Sequence, residues 1–272
     1  MPRNPRSLRL TDLYAQRLKA VAAQVEANSA ARWNLEPDDF DGSYNSWRDV
    51  AVLAVAQAQR QNLRLTQGYL AAFIASETGR RISPPRVDAE KYVGKSRDGR
   101  DLREAWDSPV IKAKVAIREG KTVEEASDIA KAAAIALVGL DTYSAARGSM
   151  AESVGTIQIV IGTRRVTVGA TCGACMGAAT GAILPKGSEF HIHPGCDCVQ
   201  EPVLKNVPDT ARRKTGTEIY HELSPAEQAA RVGDEAASAI DRGDITLKDL
   251  VGESPMKTEP SFLTQRPLAD LL

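Results

Sequence analysis

The chain has 272 residues, enough for one large or two small domains, and its 35 basic residues are balanced by 35 acidic ones. This balance gives no global positive field of the kind that marks a nucleic-acid binding protein. The longest apolar run, residues 130–140, is far shorter than the roughly 20 residues of a membrane-spanning helix, and the first residues lack the apolar core of a secretory signal. We therefore expect neither a membrane anchor nor secretion.

The N-terminal half of the sequence predicts helices. Apolar residues recur at helical spacing over residues 11–30, and again over residues 43–75, which predict one long helix or two abutting ones ending near Gly79. The stretch 80–102 is rich in Pro, Gly and charge, which indicates an ordered connector rather than a regular element.

Two further helices follow the connector. A shorter one over residues 109–119 is expected to end at Gly120. Thr122 and Glu125 then have the spacing of a capping box, which predicts the start of a long helix over residues 123–153.

The residue pattern changes after this helix. Residues 156–170 alternate apolar and polar side chains with many β-branched residues, which predicts a β-hairpin with its turn at residues 162–163. Farther on, Ser224 and Glu227 form a second capping box that opens a helix predicted over residues 225–243. The last residues, 244–272, have short apolar motifs between prolines, as expected of a docking tail.

All four cysteines lie within one short stretch. Cys172 and Cys175 form a C-x-x-C pair, and Cys196 and Cys198 form a C-x-C pair. Each pair can present two thiolates to one ion, so the spacing predicts a structural zinc site with four cysteine ligands. Disulfides are the alternative if the protein ends in an oxidising location, whereas a redox-active C-x-x-C is disfavoured because no parallel α/β fold is indicated.

Two of the three histidines lie just before the second cysteine pair. His191 and His193 would share one face of a strand, where either could replace a cysteine as a zinc ligand, contact the cluster from outside, or form only a polar surface. The third histidine is His221. No G-x-S-x-G motif accompanies these residues, and the sequence predicts no catalytic residue.

Together these patterns predict an α+β fold that is predominantly α-helical. We expect a helical domain over residues 1–150 and a small β-hairpin module with a zinc knuckle over residues 151–205. A C-terminal helix and an extended docking tail occupy residues 206–272.

The order of these features resembles the phage Mu F-like minor head proteins, most closely those of tailed phages of actinobacteria. The residues that match the family's run of C-x-x-C, aromatic and H-P-x-C-x-C positions are Cys172, Cys175, Phe190, His193, Pro194, Cys196 and Cys198. The phrase LSPAEQAARVG at 223–233 also matches, and the resemblance covers most of residues 8–235. The chain departs from the family in lacking an aromatic residue soon after the first cysteine pair.

The resemblance implies a structural protein of the phage head, present in few copies and made during capsid assembly. Its implied partners are the portal protein, the major capsid or scaffold protein and, in one alternative, packaged DNA. Its implied location is the capsid interior near the portal vertex, with the host cytoplasm as the site of assembly. Two alternative functions are a capsid maturation protease, a label that some relatives carry, and an internal DNA-contacting protein ejected with the genome.

Overall fold

The computed structural model describes residues 5–167, 172–188, 190, 196–207 and 213–251. The helices in this part of the chain are α1 (Pro5–Ala31), α2 (Phe40–Thr78), α3 (Leu102–Ala105), α4 (Ser108–Arg118), α5 (Val123–Thr156), α6 (Gly173–Ala178), α7 (Gly216–His221), α8 (Pro225–Val232) and α9 (Asp234–Asp241). The strands are β1 (Val160–Val166), β2 (Leu184–Pro185) and β3 (Val199–Leu204), and they form an antiparallel sheet in the order β2-β1-β3. The structure is thus predominantly helical with a small sheet, as the sequence predicts.

An aromatic core holds one end of the helical bundle, which consists of α1, α2, α4 and α5. The rings of Tyr44 and Trp106 lie 5.8 Å and 6.3 Å from the ring of Trp47. These side chains share a core with the buried Ala130 and Ala134 of α5. Small side chains on α5 allow the neighbouring helices to approach closely, so the large rings fill the remaining space.

A second core joins the bundle to the sheet. Tyr14 of α1 and Tyr69 of α2 stack with their ring centroids 4.3 Å apart. They share this core with Met150 of α5, Val166 of β1 and Leu204 of β3. The sheet is therefore fixed to the helical bundle by apolar packing, which places the start of β3 beside α5.

The predicted limits of α2 and α5 are largely confirmed, whereas α1 begins at Pro5, ahead of its predicted start at residue 11. Thr122 and Glu125 form the capping box of α5, and Gly79 ends α2 in the left-handed conformation with φ +68°. The helix α5 continues through Gly139, where a side chain would place its Cβ only 1.9 Å from the Glu26 carboxylate of α1. The glycine therefore leaves room for the Glu26 side chain to lie against α5.

The predicted β-hairpin over residues 156–170 is wrong. In the described part of this stretch, residues 160–166 form one strand, β1, which runs through Gly162 without turning, and Thr156 still belongs to α5. A Cβ at Gly162 would lie 2.3 Å from the carbonyl oxygen of Leu184 in β2. Gly162 therefore lies where the backbones of β1 and β2 approach closely. The pairing of β1 with β3 is also irregular here, because its register shifts between Val160 and Gly162.

The C-terminal helices differ from the prediction in two ways. The Ser224 and Glu227 capping box is present, but the helix it opens ends at Gly233, where a φ of +89° separates α8 from α9. The helix α7 was not predicted, although Thr215 and Glu218 form a capping box of the same kind.

The predicted docking tail lies partly outside the described residues, which end at 251. Of its first residues, Leu247 is buried with Met176 of α6 and Tyr220 of α7. This segment therefore packs on the cysteine-bearing part of the fold.

By length and composition α5 is the one helix in the described part of the chain that could cross a membrane. More than half of its most apolar window is buried inside the protein, 56% in all. It packs against α1, α2 and α4, which is how the core helix of a bundle is placed.

Candidate metal centre

Three of the four cysteines meet in the folded chain. Cys175 lies in α6, while Cys196 and Cys198 immediately precede β3. Their sulfur atoms all lie within 4.8 Å of one another, and all three residues are buried. This three-thiol cluster could hold a metal ion, and it joins the two sequence pairs as the spacing predicts.

Cys172 adjoins the cluster from the N-terminal end of α6. Its sulfur accepts a hydrogen bond from the backbone N–H of Cys175 at 3.4 Å, and its half-buried side chain packs against the three-thiol cluster. Cys172 is therefore placed at the rim of the cluster, outside the group of three closest sulfurs.

The sulfur separations fit a metal site better than a disulfide. All four cysteines are among the described residues, and none of them is joined in a disulfide. The Sγ atoms of Cys175 and Cys196 are 3.6 Å apart, far beyond the roughly 2.05 Å of an S–S bond. Two ligands of a tetrahedral ion with metal–sulfur bonds of about 2.3 Å would be about 3.8 Å apart.

The electrostatics of the cluster favour negative charge on one sulfur. Donation from the Cys175 thiol lowers the pKa of Cys196, and Cys198 and the nearby Arg147 lower it further. The same hydrogen bond raises the pKa of Cys175, because that thiol then has to give up a shared proton. A metal cation would neutralise the thiolate that this arrangement stabilises.

The structure does not test the two histidines that the sequence proposes as ligands. His191 and His193 lie outside the described residues. His221 is in α7, where its ring contacts the ring of Tyr220. Phe190, by contrast, is described, and it packs against the three-thiol cluster with the guanidinium of Arg165 4.0 Å from its ring centroid.

Glycine residues explain how α6 is enclosed. A Cβ at Gly173 would lie 2.5 Å from the Val232 side chain, and one at Gly177 would lie 2.2 Å from the Leu247 carbonyl oxygen. At Gly216 the same atom would be 1.8 Å from the Met176 carbonyl oxygen. These close approaches pack α8, the 244–251 segment and α7 around the short helix that bears Cys175.

Sequence reasoning missed the basic residues of the site. Arg147 of α5 is only 8% exposed, and its Nη2 donates to the carbonyl oxygens of Cys196 at 2.5 Å and Cys198 at 3.3 Å. Lys19 of α1 donates to the Asp197 carboxylate at 2.7 Å. The only sequence signal for Arg147 was its position within an apolar, Ala-rich stretch of a core helix.

Comparisons of the chain with protein-family models, with curated proteins and with solved structures found no match. The class of the site is therefore defined by its own geometry. It is a buried cluster of three thiols, enclosed by a short helix and by the start of a strand, whose sulfur atoms are close enough to bind one metal ion.

Proposed function

We propose that the chain is a structural minor head protein of a tailed phage, whose C-terminal part is stabilised by zinc. The observation that carries this proposal is the burial of Cys175, Cys196 and Cys198 in one cluster. These residues belong to the motif on which the resemblance to the Mu F-like proteins rests.

Zinc is the metal that the donor set favours. Thiolates are soft ligands, and a tetrahedral site with four sulfur donors is typical of zinc or of iron–sulfur centres. The ion would be held by Cys172, Cys175, Cys196 and Cys198, and it would link α6 to the start of β3. The spacing of one pair as C-x-x-C and the other as C-x-C suits a single-ion site.

A structural role follows from the enclosure of the cluster. Catalytic zinc sites keep one coordination position open to water or substrate, whereas structural sites are closed by protein ligands. Here the three closest cysteines are each at most 3% exposed, and Phe190 packs against them. Four cysteine ligands would leave no position for a substrate.

The assembly role is supported by the resemblance over residues 8–235 and by the surface of α2. Val50 and Leu53 are 46% and 68% exposed on this helix. The two residues are three positions apart and share one face of the helix, so they offer a small apolar surface that a partner protein could cover. We assign this contact to the portal protein, with the major capsid or scaffold protein as a further partner, in the capsid interior near the portal vertex.

The metal proposal is tested by elemental analysis of the purified chain together with a thiol count. We expect one zinc per chain and four thiols that react with an alkylating reagent only after a chelator is added. Two disulfides in the purified protein, or four reactive thiols without a chelator, would contradict the proposal.

The assembly proposal is tested with the portal protein encoded by the same genome. We expect the two proteins to co-purify after co-expression, and the Leu53→Asp variant to co-purify less. A matched change at an exposed polar site, Gln57→Asp on the same helix, serves as the control. A genome that encodes this chain but no portal protein would rule the assignment out.

A further inference from the structure

Basic residues of the helical bundle hold every residue of the C-x-C segment, which comprises Cys196, Asp197 and Cys198. Arg147 of α5 donates to the carbonyl oxygens of the two cysteines, and Lys19 of α1 pairs with the aspartate between them. The two cations come from two different helices. The segment that carries half of the cysteines is therefore positioned by the bundle.

The burial of Arg147 calls for an anion nearby. Its guanidinium lies 4.7 Å from the ring centroid of Tyr143. Its Nε and Nη1 atoms have no hydrogen-bond partner among the described residues. A buried cation without a compensating charge is strongly destabilising. The carbonyl oxygens that Arg147 contacts supply only partial charges, so negative charge on the adjacent cluster would stabilise this buried cation.

A metal-bound cluster would supply negative charge next to Arg147. Four thiolates and one divalent ion carry a net charge of about −2. Residues that contact metal ligands from outside fix the ligand orientation and tune the affinity for the ion. Arg147 contacts the backbone of two such cysteines, and Lys19 neutralises the aspartate that would otherwise add to the negative charge.

We propose that Arg147 and Lys19 form a cationic clamp that positions Cys196 and Cys198 and sets the affinity of the centre for its metal. This inference rests on the metal site proposed above. It adds that the site is completed by α1 and α5, which lie outside the cysteine motif. Metal binding and the packing of the C-x-C segment against the helical bundle are then coupled, so each stabilises the other.

The clamp is tested by measuring the zinc dissociation constant of the full-length chain in competition with a chromophoric chelator. For Arg147→Gln we expect binding to be about 10- to 100-fold weaker, as for other residues that support metal ligands. Arg147→Lys keeps the charge and should recover part of this loss. The control is Arg164→Gln, which also removes a buried arginine, one whose Nε donates to the carbonyl oxygen of Gly181.

A charge exchange between Lys19 and Asp197 provides a second test that leaves Arg147 in place. Lys19→Glu should weaken zinc binding by about two- to fivefold, since the pair is partly exposed. Combining it with Asp197→Lys should restore the affinity. The charge-transfer absorption of the cobalt-substituted protein gives an independent readout, because it reports how the thiolates surround the ion.

The outcomes separate the clamp from the metal site itself. If the wild-type chain binds no zinc, the metal site and the clamp both fail. If it binds one zinc but Arg147→Gln binds as tightly as the wild type, the clamp is wrong and the metal site stands. If Arg147→Gln does not fold by circular dichroism, the charge exchange decides, and an affinity that is not restored overturns the clamp.

Discussion

Arg213 Nε donates to the carboxylate of Glu201 at 2.9 Å, and the Glu201 side chain is completely buried in β3. The same guanidinium donates to the Asp12 carboxylate and to the Leu8 carbonyl oxygen of α1, each at 2.7 Å. Thr11 of α1 also donates to Glu201. This network joins the chain before α7 to the strand that follows the cysteines and to the first helix.

Removing Arg213 should destabilise the fold strongly. Arg213→Met would take a cation away from the buried Glu201 carboxylate, and breaking a buried pair in this way typically costs 3–5 kcal/mol, so we expect a loss of about 3 kcal/mol or more. Urea unfolding followed by circular dichroism measures the change. Arg242→Met is the matched control, because its pair with Asp244 is more than half exposed on both sides and should change stability by less than about 1 kcal/mol. Equal effects of the two substitutions would show that the buried pair is not special.

Asp141 should make stability depend on pH in the acidic range. Burial raises the pKa of Asp141 from 3.8 to about 6, and hydrogen bonds from Trp106 and from the backbone of Arg97 offset only part of this rise. The folded chain thus holds this proton more tightly than the unfolded chain. The protonated Asp141 side chain thus contributes about 3 kcal/mol to the free energy of unfolding. This contribution is fully present below about pH 4 and is lost as the pH rises through 6.

The measurement is urea unfolding of the wild type and of Asp141→Asn at several pH values between about 4 and 7. Because the asparagine does not titrate, the difference in unfolding free energy between the two proteins should change with pH, in favour of the variant as the pH rises. Metal release at low pH affects both proteins alike and cancels in the difference. A constant difference across this range would refute the assigned titration.

Gly177 should tolerate no side chain. The methyl group of Gly177→Ala would collide with the backbone carbonyl of Leu247, which cannot move as a flexible side chain can. We expect a loss of about 1–3 kcal/mol, as for other overpacked sites, together with weaker metal binding. Gly68→Ala in α2 is the control, since its Cβ meets nothing within 4 Å and alanine favours a helix by about 1 kcal/mol. Thermal unfolding should therefore shift in opposite directions for the two variants.

The sequence predicted the long helices well because their signals are local. The capping box at Thr122 and the left-handed glycine at Gly79 determine where helices begin and end through bonds within a few residues. The same local reasoning failed at Gly162, where the glycine is required by a neighbouring strand. Nothing in the flanking residues shows that the Leu184 carbonyl will lie against it.

The candidate site was likewise predictable only in part from the sequence. The spacing of the cysteines predicted that the two pairs would meet, since short pairs joined by a loop can close around one ion. Arg147 and Lys19 could not be predicted, because their contacts depend on how α1 and α5 pack beside the start of β3. Charge on a helix is usually solvated, and only the packed structure distinguishes these two residues from the other basic side chains.

Substitution of single cysteines should reveal whether Cys172 is the fourth ligand. Cys198→Ser removes a fully buried sulfur of the three-thiol cluster, so we expect loss of zinc and a large decrease in the melting temperature. Cys172→Ser should also lose zinc if all four thiols bind the ion, although Cys172 lies at the rim of the cluster. Chelation of the wild type should lower the melting temperature to a similar value.

The control for these variants is the response to a chelator, measured by differential scanning fluorimetry. Once the metal site is lost, a chelator should no longer change the melting temperature of either serine variant. If Cys172→Ser keeps one zinc per chain and still responds to the chelator, the fourth ligand is a different residue, and His191 and His193 become the candidates. His191→Ala and His193→Ala in the Cys172→Ser background would then identify it, because only the variant that lacks the true ligand should lose the metal.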